Sequence, residues 1–584
     1  MTLQSWRDRL WRSNRDRWVD SAIAAGLFAG YLAWLIATAD TLGYSRDEGF
    51  YFSAARSYGK WFELLLSDPS RAFERTLVDQ YWKENSEHPA LMKSLFWLSH
   101  HELAGTVFRE PGTAYRFPSM VLAAGLVAAL FHCGRSAFGR AGGLVAAGAF
   151  ALMPRIFYHS HLSCFDVPIA ALWFFTAFAY QRSLERPGLR WPLACALLFG
   201  LALDTKHNAW ILPPAIALHI LVRHVLELSS TSALRSGSRW QRVLRLLRIQ
   251  VPLAPVLMLF IGPAVLYAGW PWIWRDTWAR LEAYVRFHTE HVYYNIEFLG
   301  RTYFEPPFPR SYAWVMTAAT VPAITLVLGA IGFATAVVCG AKAWNARRRL
   351  LRTPEPEAST GDVAVPSAAT RSAPELLWAI GIVASYGPWL SNETPIFGGT
   401  KHWITAYPFL ALFAGRGFVW VLGSLRSEMP SLGRFPKLTA GALGACALLG
   451  PLAMTWNSHP WGLSAYTPIV GGAPGAATLG LNRTFWGYTT GALQDFINGA
   501  GPNQRVFVHD TAMDSFRMLQ KDGRLRRDLK PWWTVSGSTL AIYHHEQHMS
   551  RVEHMIWVDY GTVAPAYIGA FDGVPVAWMY QRPR

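Results

Sequence analysis

Long apolar stretches with almost no charged residues recur along most of the chain. A helix needs about 20 apolar residues to cross ~30 Å of hydrocarbon at a rise of 1.5 Å per residue. The pattern therefore predicts an all-α polytopic membrane domain with about 11 transmembrane helices, some of them short. The predicted spans are 19–39, 118–133, 142–153, 165–180, 191–203, 209–221, 251–268, 313–340, 376–390, 403–421 and 438–456.

The charged residues between these spans predict their orientation. If the basic N-terminus is cytoplasmic, alternate connections are cytoplasmic too, and together they contain 25 Lys and Arg against 8 Asp and Glu. Such an excess is typical of cytoplasmic loops. These connections are 1–18, 134–140, 181–190, 223–248, 341–373 and 423–437. The Pro-, Ala- and Ser-rich composition of 341–373 predicts a flexible linker there.

Composition agrees with a membrane protein. Only 16% of the residues are charged, against about 25% in an average soluble protein. A net charge of +16 would favour a nucleic-acid partner in a soluble chain. Because the cytoplasmic connections account for the whole excess, we expect no nucleic acid as partner. The five scattered cysteines indicate neither a disulfide framework nor a zinc ribbon.

The extracytoplasmic segments are long and polar. Segment 40–113 is the first external loop of a membrane domain that we place at 1–456. Residues 457–584 predict a small extracytoplasmic α/β domain, because short apolar runs alternate there with a helical pattern. In that domain we expect strands at 505–509, 554–559 and 574–580, and a helix at 513–521.

Two adjacent carboxylates, Asp47 and Glu48, follow the first span in the motif Gly43–Tyr51 (GYSRDEGFY). One could act as a general base on an acceptor hydroxyl while the other orients a partner. The alternative is solvated charge at the membrane interface, since an Asp-Glu pair is common in proteins.

Two further segments place cations on the external side. His88 and Lys93 flank a short turn before an apolar run, where they could form a patch facing an anion. An amphipathic helix on the membrane surface explains them as well. Lys206 lies in a charged group between two short apolar runs, and it could hold a phosphate as a point charge.

The connection 154–168 carries His159, His161 and then Asp166 at the start of a predicted span. An ionisable group at that depth is costly without a partner. The two histidines and Asp166 could bind a metal, although the spacing alone does not provide the geometry. We therefore assign no metal ligands here, and a divalent cation stays an open alternative.

Four sequence features occur in order and on the same predicted side of the membrane: Asp47–Glu48, His88–Lys93, Arg116–Ser119 followed by the connection 154–166, and Gly398–Trp403 leading into Tyr407–Phe409. Together they resemble the membrane-embedded GT-C glycosyltransferases, in particular the family of protein O-mannosyltransferases and the lipid A aminoarabinose transferase. The second feature is similar to a His-Pro-Pro-Leu-Gly-Lys motif, with Ala90 in place of the second Pro. The resemblance covers most of residues 20–500.

The resemblance implies a GT-C-like fold and transfer of a sugar from a polyprenyl-phosphate donor to an envelope lipid, glycan or protein acceptor on the extracytoplasmic face. It implies inversion at the anomeric carbon, with Asp47 as general base and Glu48 and Asp166 as further catalytic carboxylates. The leaving lipid phosphate needs cations. The candidates on the external side are Lys93, Lys206, Arg301 and Lys401. Expected substrate-binding residues are His88, His402 and Trp403.

The expected location is the inner (plasma) membrane, where membrane lipids surround a multi-pass chain with its N-terminus in the cytoplasm. A secondary transporter or a lipid flippase is the alternative, because many spans and intramembrane charges are typical of both. A transporter predicts inverted internal repeats, which the sequence does not display, and it leaves the long external loop unexplained.

Overall fold

The computed structural model describes residues 3–229, 238, 240, 249–350, 374–396 and 398–583. Most of the chain is helical. In the first half of the chain the described helices are α1 (Leu3–Thr38), α2 (Arg46–Ser67), α3 (Pro69–Ala72), α4 (Arg75–Trp82), α5 (Leu91–Leu103), α6 (Pro111–Ala151), α7 (Pro154–His161), α8 (Asp166–Glu185), α9 (Arg190–Leu203), α10 (Leu212–Ser229), α11 (Leu253–Gly269) and α12 (Thr277–Thr289). The remaining ones are α13 (Tyr312–Thr320), α14 (Ala323–Leu350), α15 (Pro374–Tyr386), α16 (Tyr407–Glu428), α17 (Pro436–Ser458), α18 (Gly472–Thr478), α19 (Gln494–Gly499), α20 (Met513–Lys521) and α21 (Ser550–Tyr560).

Several of these helices expose apolar side chains on their outer faces. Phe260 on α11 is 70% exposed and Leu438 on α17 is 71% exposed, as expected where lipid covers the surface. Within the described residues, six helices are long and apolar enough to cross a membrane. The number is seven if the α7–α8 pair, which is bent by 103°, counts as one span. The chain is therefore polytopic, and the full count of 11 spans stays a prediction.

The long helix α6 contains two of the predicted spans. Its backbone leaves the helical region at Gly139, where φ is +84°. A Cβ on Gly134 would lie 2.9 Å from the Cα of Gly143, although nine residues of straight helix would separate them by about 13 Å. The chain therefore reverses at Gly139, and the predicted spans 118–133 and 142–153 pack against each other as a hairpin.

The first external loop folds into the helices α2 to α5. Helix α2 begins with a capping box, in which Ser45 caps the backbone N–H of Glu48 and Glu48 accepts from the N–H of Ser45. This arrangement satisfies two donors at the helix N-terminus. It also fixes Asp47 in the first turn of α2, at the N-terminal end of that helix.

The C-terminal part contains a five-stranded sheet with the order β4-β3-β5-β7-β6. Its strands are β3 (Arg505–Phe507), β4 (Lys530–Trp532), β5 (Leu540–His544), β6 (Tyr567–Phe571) and β7 (Val574–Gln581), and a separate hairpin pairs β1 (Ile296–Phe298) with β2 (Arg301–Tyr303). Strands β4, β3 and β5 are parallel, whereas β7 is antiparallel to β5 and to β6. The expected α/β architecture is confirmed.

The two faces of the sheet pack on different partners, as side-chain alternation along strands requires. Leu540 and Ile542 of β5 belong to a cluster that contains Phe516 of α20 and Phe52 of α2. Ala541 and Tyr543, which alternate with them along β5, belong to a second cluster that includes residues of α21. The sheet is therefore seated on the first external loop, next to the N-terminus of α2.

Two details of the sequence interpretation change. The run 554–559, predicted as a strand, lies in helix α21, whose buried residues Ile556 and Tyr560 are one helical turn apart. Gly561, at φ +68°, ends that helix, and a short apolar run alone does not distinguish the two structures. The predicted linker 341–373 begins as the end of helix α14, and residues 351–373 lie outside the described residues.

Candidate active site

A buried ion pair fixes the first turn of α2. The Nε and Nη2 atoms of Arg116 donate to the two carboxylate oxygens of Glu48 over 2.8 and 3.0 Å, and both side chains are 0% exposed. The backbone N–H groups of Ser45 and Ser163 donate to the same carboxylate. With four donors on its two oxygens, Glu48 is placed to hold the loop and the helix together, and it orients its neighbour Asp47.

Asp47 faces a lysine from a distant part of the sequence. Lys401 Nζ lies 3.2 Å from Asp47 Oδ2, and the Asp47 side chain is 24% exposed. The same ammonium group stands 4.1 Å from the centre of the Trp486 ring. Burial raises the pKa of Asp47, but the nearby charges of Lys401 and Arg46 outweigh burial and lower that pKa below its ordinary value. Asp47 is therefore ionised at neutral pH and partly open to a ligand.

Asp166 forms the second carboxylate–lysine pair. It is the first residue of α8, and its Oδ1 accepts from Lys206 Nζ over 2.6 Å. The Nδ1 atom of His159 lies 3.8 Å from its other oxygen. Asp166 is close enough to Asp47 for its charge to oppose the ionisation of Asp47. The fold therefore brings together two carboxylates, 119 positions apart, each paired with its own lysine.

The C-terminal part completes the surroundings of Asp47. Arg46 Nη1 forms an ion pair of 2.6 Å with Asp510, and Ser515 Oγ donates to the carbonyl oxygen of Ser45 over 2.7 Å. Next to Arg46 lies a pocket of about 80 Å³ that opens to the surface. Its lining includes Tyr312, Gly398, Phe485, Trp486, Asp510, Glu546 and His548. The pocket therefore adjoins Arg46, the neighbour of Asp47, and Trp486, which contacts Lys401.

Three of the predicted ligands have side chains that contact other groups of the protein. Lys93 is 0% exposed, and its Nζ donates to the carbonyl oxygens of Asn85 and His88 over 2.6 and 2.8 Å. Trp403 is also fully buried, where its indole N–H donates to side chains of the membrane domain. Arg301 lies on the exposed side of the β1–β2 hairpin, over the Tyr303 ring. We therefore leave these three out of the proposed site.

The predicted histidines border the site on the side of Lys206. His88 lies near the ring of His288, with centroids 5.5 Å apart, and His288 lies 4.0 Å from the ring of His207. His402 packs on Trp389 at 4.4 Å. Burial is the main cause that lowers the pKa of His88 well below its ordinary value, and the nearby charges of Lys93 and Lys206 lower it further. These imidazoles are neutral at physiological pH and form a polar, uncharged wall.

The described residues offer no ligand set for a divalent cation. Among them, no group of three or more His, Cys, Asp or Glu side chains is arranged to hold a metal. His161, one of the three residues considered from sequence, instead contacts Thr38 and the carbonyl oxygen of Phe157. No step below is therefore assigned to a metal.

Sequence reasoning missed two arginines. Arg116 stands in the motif Arg116–Ser119, but its role as partner of Glu48 depends on a contact across 68 positions. Arg155 was part of the connection 154–168, and it lies buried close to the segment that carries Lys401. An isolated arginine beside otherwise apolar spans is the signal that could have drawn attention to both.

The comparison with family models finds a match to one part of the chain. Residues 88–235, which include Asp166 and Lys206, match the family described as dolichyl-phosphate-mannose-protein mannosyltransferase. Over this part of the chain, the match agrees with the resemblance stated from the motifs. No curated protein matches the sequence.

Three solved structures of two proteins are similar to this chain. ArnT from Cupriavidus metallidurans in the apo state is 15% identical, with a TM-score of 0.44 over 97% of this chain and 98% of that one. The same protein bound to undecaprenyl phosphate is 15% identical and gives 0.42 over 96% and 97%. The archaeal oligosaccharyltransferase AglB from Archaeoglobus fulgidus, in complex with an inhibitory peptide and a dolichol-phosphate, is 10% identical and gives 0.44 over 92% and 71%.

Proposed function

We propose that this protein transfers a sugar from a polyprenyl-phosphate donor to an envelope lipid, glycan or protein acceptor, with inversion and with Asp47 as general base. The observation that carries the proposal is the pair of carboxylate–lysine contacts, Asp47–Lys401 and Asp166–Lys206, at one site beside the pocket. A base and a cation for the leaving phosphate are the two groups that this transfer needs.

Asp47 takes the proton of the acceptor hydroxyl as that oxygen attacks the anomeric carbon. Its position in the first turn of α2 and its partial exposure support this role. Because the pKa of Asp47 is lowered, the carboxylate is in its basic form before the acceptor arrives. Glu48 does not exchange protons in this scheme, since its oxygens already accept from Arg116 and two backbone N–H groups; it is a positioning residue.

The leaving group is a lipid phosphate, which is already a stable anion and requires no general acid. It requires positive charge, and Lys401 and Lys206 are the cations that donate hydrogen bonds to the two carboxylates. A phosphate that attracts Lys401 away from Asp47 would also raise the basicity of Asp47. In this scheme Asp166 holds Lys206 ready for the phosphate, and one displacement inverts the anomeric carbon.

The proposal places this site on the extracytoplasmic side of the inner membrane. The basic connections between spans support that orientation, because their excess of Lys and Arg is typical of the cytoplasmic side. The donor lipid would then lie among the apolar helices, with its phosphate at the level of the external loop.

The test is an assay with purified protein in detergent. Wild-type protein given a polyprenyl-phosphate sugar and an extract of envelope acceptors should release free polyprenyl phosphate. Asp47→Asn should lower kcat by at least about 100-fold, since general-base catalysis contributes about 10²–10⁴-fold. Asp495→Asn, at an exposed carboxylate of α19, is the matched control and should keep the wild-type rate. Full activity of Asp47→Asn would refute the assignment.

A further inference from the structure

Arg155 is a buried cation that has no carboxylate partner in the described part of the chain. It is the second residue of α7 and is 3% exposed. Its guanidinium lies 4.9 Å from the ring centre of Tyr466 and 5.4 Å from that of Phe485. Two of its nitrogens, Nε and Nη2, have no hydrogen-bond partner although both are shielded from solvent. Among the described residues, no carboxylate comes within ion-pair distance of it.

The other buried lysine and arginine side chains of the described residues differ from Arg155. Arg116 is paired with Glu48, and Lys401 is paired with Asp47. Lys93 has no carboxylate beside it, but its ammonium donates to two carbonyl oxygens. A buried charge that lacks such partners costs several kcal/mol. Arg155 therefore has the electrostatic properties of an anion-binding group.

His159 extends the same face of α7. It lies four positions after Arg155, which places the two side chains next to each other on the helix. It is 2% exposed, and neither ring nitrogen has a hydrogen-bond partner among the described residues, although Nδ1 lies 3.8 Å from a carboxylate oxygen of Asp166. Its ring is 6.1 Å from that of Trp486, the residue that contacts Lys401. Trp486 therefore contacts both His159 of α7 and the Lys401 ammonium that is paired with Asp47.

The segment that carries Lys401 also covers Arg155. Gly399 adopts a left-handed conformation with φ +56°, and a Cβ there would lie only 3.4 Å from Arg155 Nη1. The absence of a side chain at Gly399 lets the backbone of this segment approach the guanidinium beside the rings of Tyr466 and Phe485. Arg155 is therefore in contact with the short segment 398–401, which carries Lys401.

We propose that Arg155, together with His159, binds the phosphate group of the polyprenyl-phosphate donor and of the released lipid. The planar guanidinium offers two parallel N–H donors, a geometry that matches two oxygens of a phosphate. This inference rests on the proposed function and assigns part of its donor site. Binding of the phosphate would provide the counter-ion that Arg155 lacks in the protein alone.

The experiment measures binding without any sugar transfer. Full-length protein in detergent is heated with and without polyprenyl phosphate, and the rise in Tm with lipid concentration gives Kd. Arg155→Met should weaken binding about 10- to 100-fold, as expected for the loss of hydrogen bonds to a charged group. Without lipid its Tm should equal or exceed that of the wild type, because an uncompensated charge has been removed. His159→Gln should weaken binding by a smaller factor and serves as the second variant.

Arg517→Met is the matched control, because Arg517 is exposed on α20; it should bind the lipid as the wild type does. Inorganic phosphate forms the second arm. If it protects the wild type and not Arg155→Met, the site recognises the phosphate group itself; if only the lipid protects, the headgroup must be presented by the membrane anchor. Equal affinity of wild type and Arg155→Met would overturn the proposal. So would a large loss of Tm in Arg155→Met without lipid. Failure of the proposed function would instead appear as absent sugar transfer in the wild type.

Discussion

Replacement of Arg116 by methionine leaves the buried carboxylate of Glu48 without its cation, at the start of α2, the helix that carries Asp47. Breaking a buried ion pair by removing one partner costs about 3–5 kcal/mol. Arg116 also donates to the carbonyl oxygens of Ala39 and Gly43 over 2.8 and 2.7 Å. Each orphaned carbonyl adds at least about 1 kcal/mol, so we expect a total of about 5–7 kcal/mol. That is comparable with the whole unfolding free energy of many domains, about 5–15 kcal/mol.

The assay is reversible unfolding in mixed micelles, followed by tryptophan fluorescence, on Arg116→Met, Glu48→Met and the double variant. If the pair acts as described, the double variant should be less destabilised than the sum of the two single variants, because it leaves no uncompensated charge. A control replacement of the exposed Arg517 by methionine should change the free energy of unfolding by less than about 0.5 kcal/mol. A cost below about 1 kcal/mol for Arg116→Met, or strictly additive single variants, would refute the reasoning.

Three further predictions concern charge and packing. Lys401→Met should raise the pKa of Asp47, because Lys401 opposes the effect of burial. The loss of activity on acidification should then begin at a higher pH than in the wild type. An unchanged pH profile would contradict the contact. Burial lowers the pKa of Lys93 from 10.5 to about 7, so the unfolded chain binds more protons than the folded one between these values, and the free energy of unfolding should rise with pH across that window. Lys93→Met should remove this rise, and the reasoning fails if the pH dependence is unaffected. Gly43→Ala should lower Tm and increase proteolysis of the C-terminal part, since a Cβ at Gly43 would lie 1.9 Å from the carbonyl oxygen of Tyr488; wild-type behaviour would show that this contact does not hold the two parts together.

Local sequence signals predicted the elements of this fold well where one pattern dominates. The apolar segments became helices, and the helix predicted at 513–521 has the same bounds in the structure. The short run 554–559 was misread because its six residues fit a buried strand and a helix equally. The sheet distinguishes a strand from a helix here, because β5 already lies between β3 and β7 and leaves no edge for another strand.

The candidate site was predicted in part. The Asp-Glu motif pointed to Asp47, and an ionisable residue at the start of a span pointed to Asp166. Their pairing with Lys401 and Lys206 was not predictable, because the Asp47–Lys401 contact spans 354 positions. Lys93 and Lys401 look alike in the sequence. The fold turns one toward carbonyl oxygens of its own loop and the other toward a carboxylate, and no local pattern records that difference.

The seating of the C-terminal sheet on α2 has a consequence for biosynthesis. Asp47 is made early, yet Lys401, Trp486, Asp510 and Ser515, which surround its helical turn, are among the last third of the chain to leave the ribosome. A nascent or truncated chain therefore carries the carboxylate without the groups that set its charge and direction. On the proposed function, only the finished molecule would be active, and a protein released before its C-terminal strands are in place would remain in the membrane without consuming donor lipid.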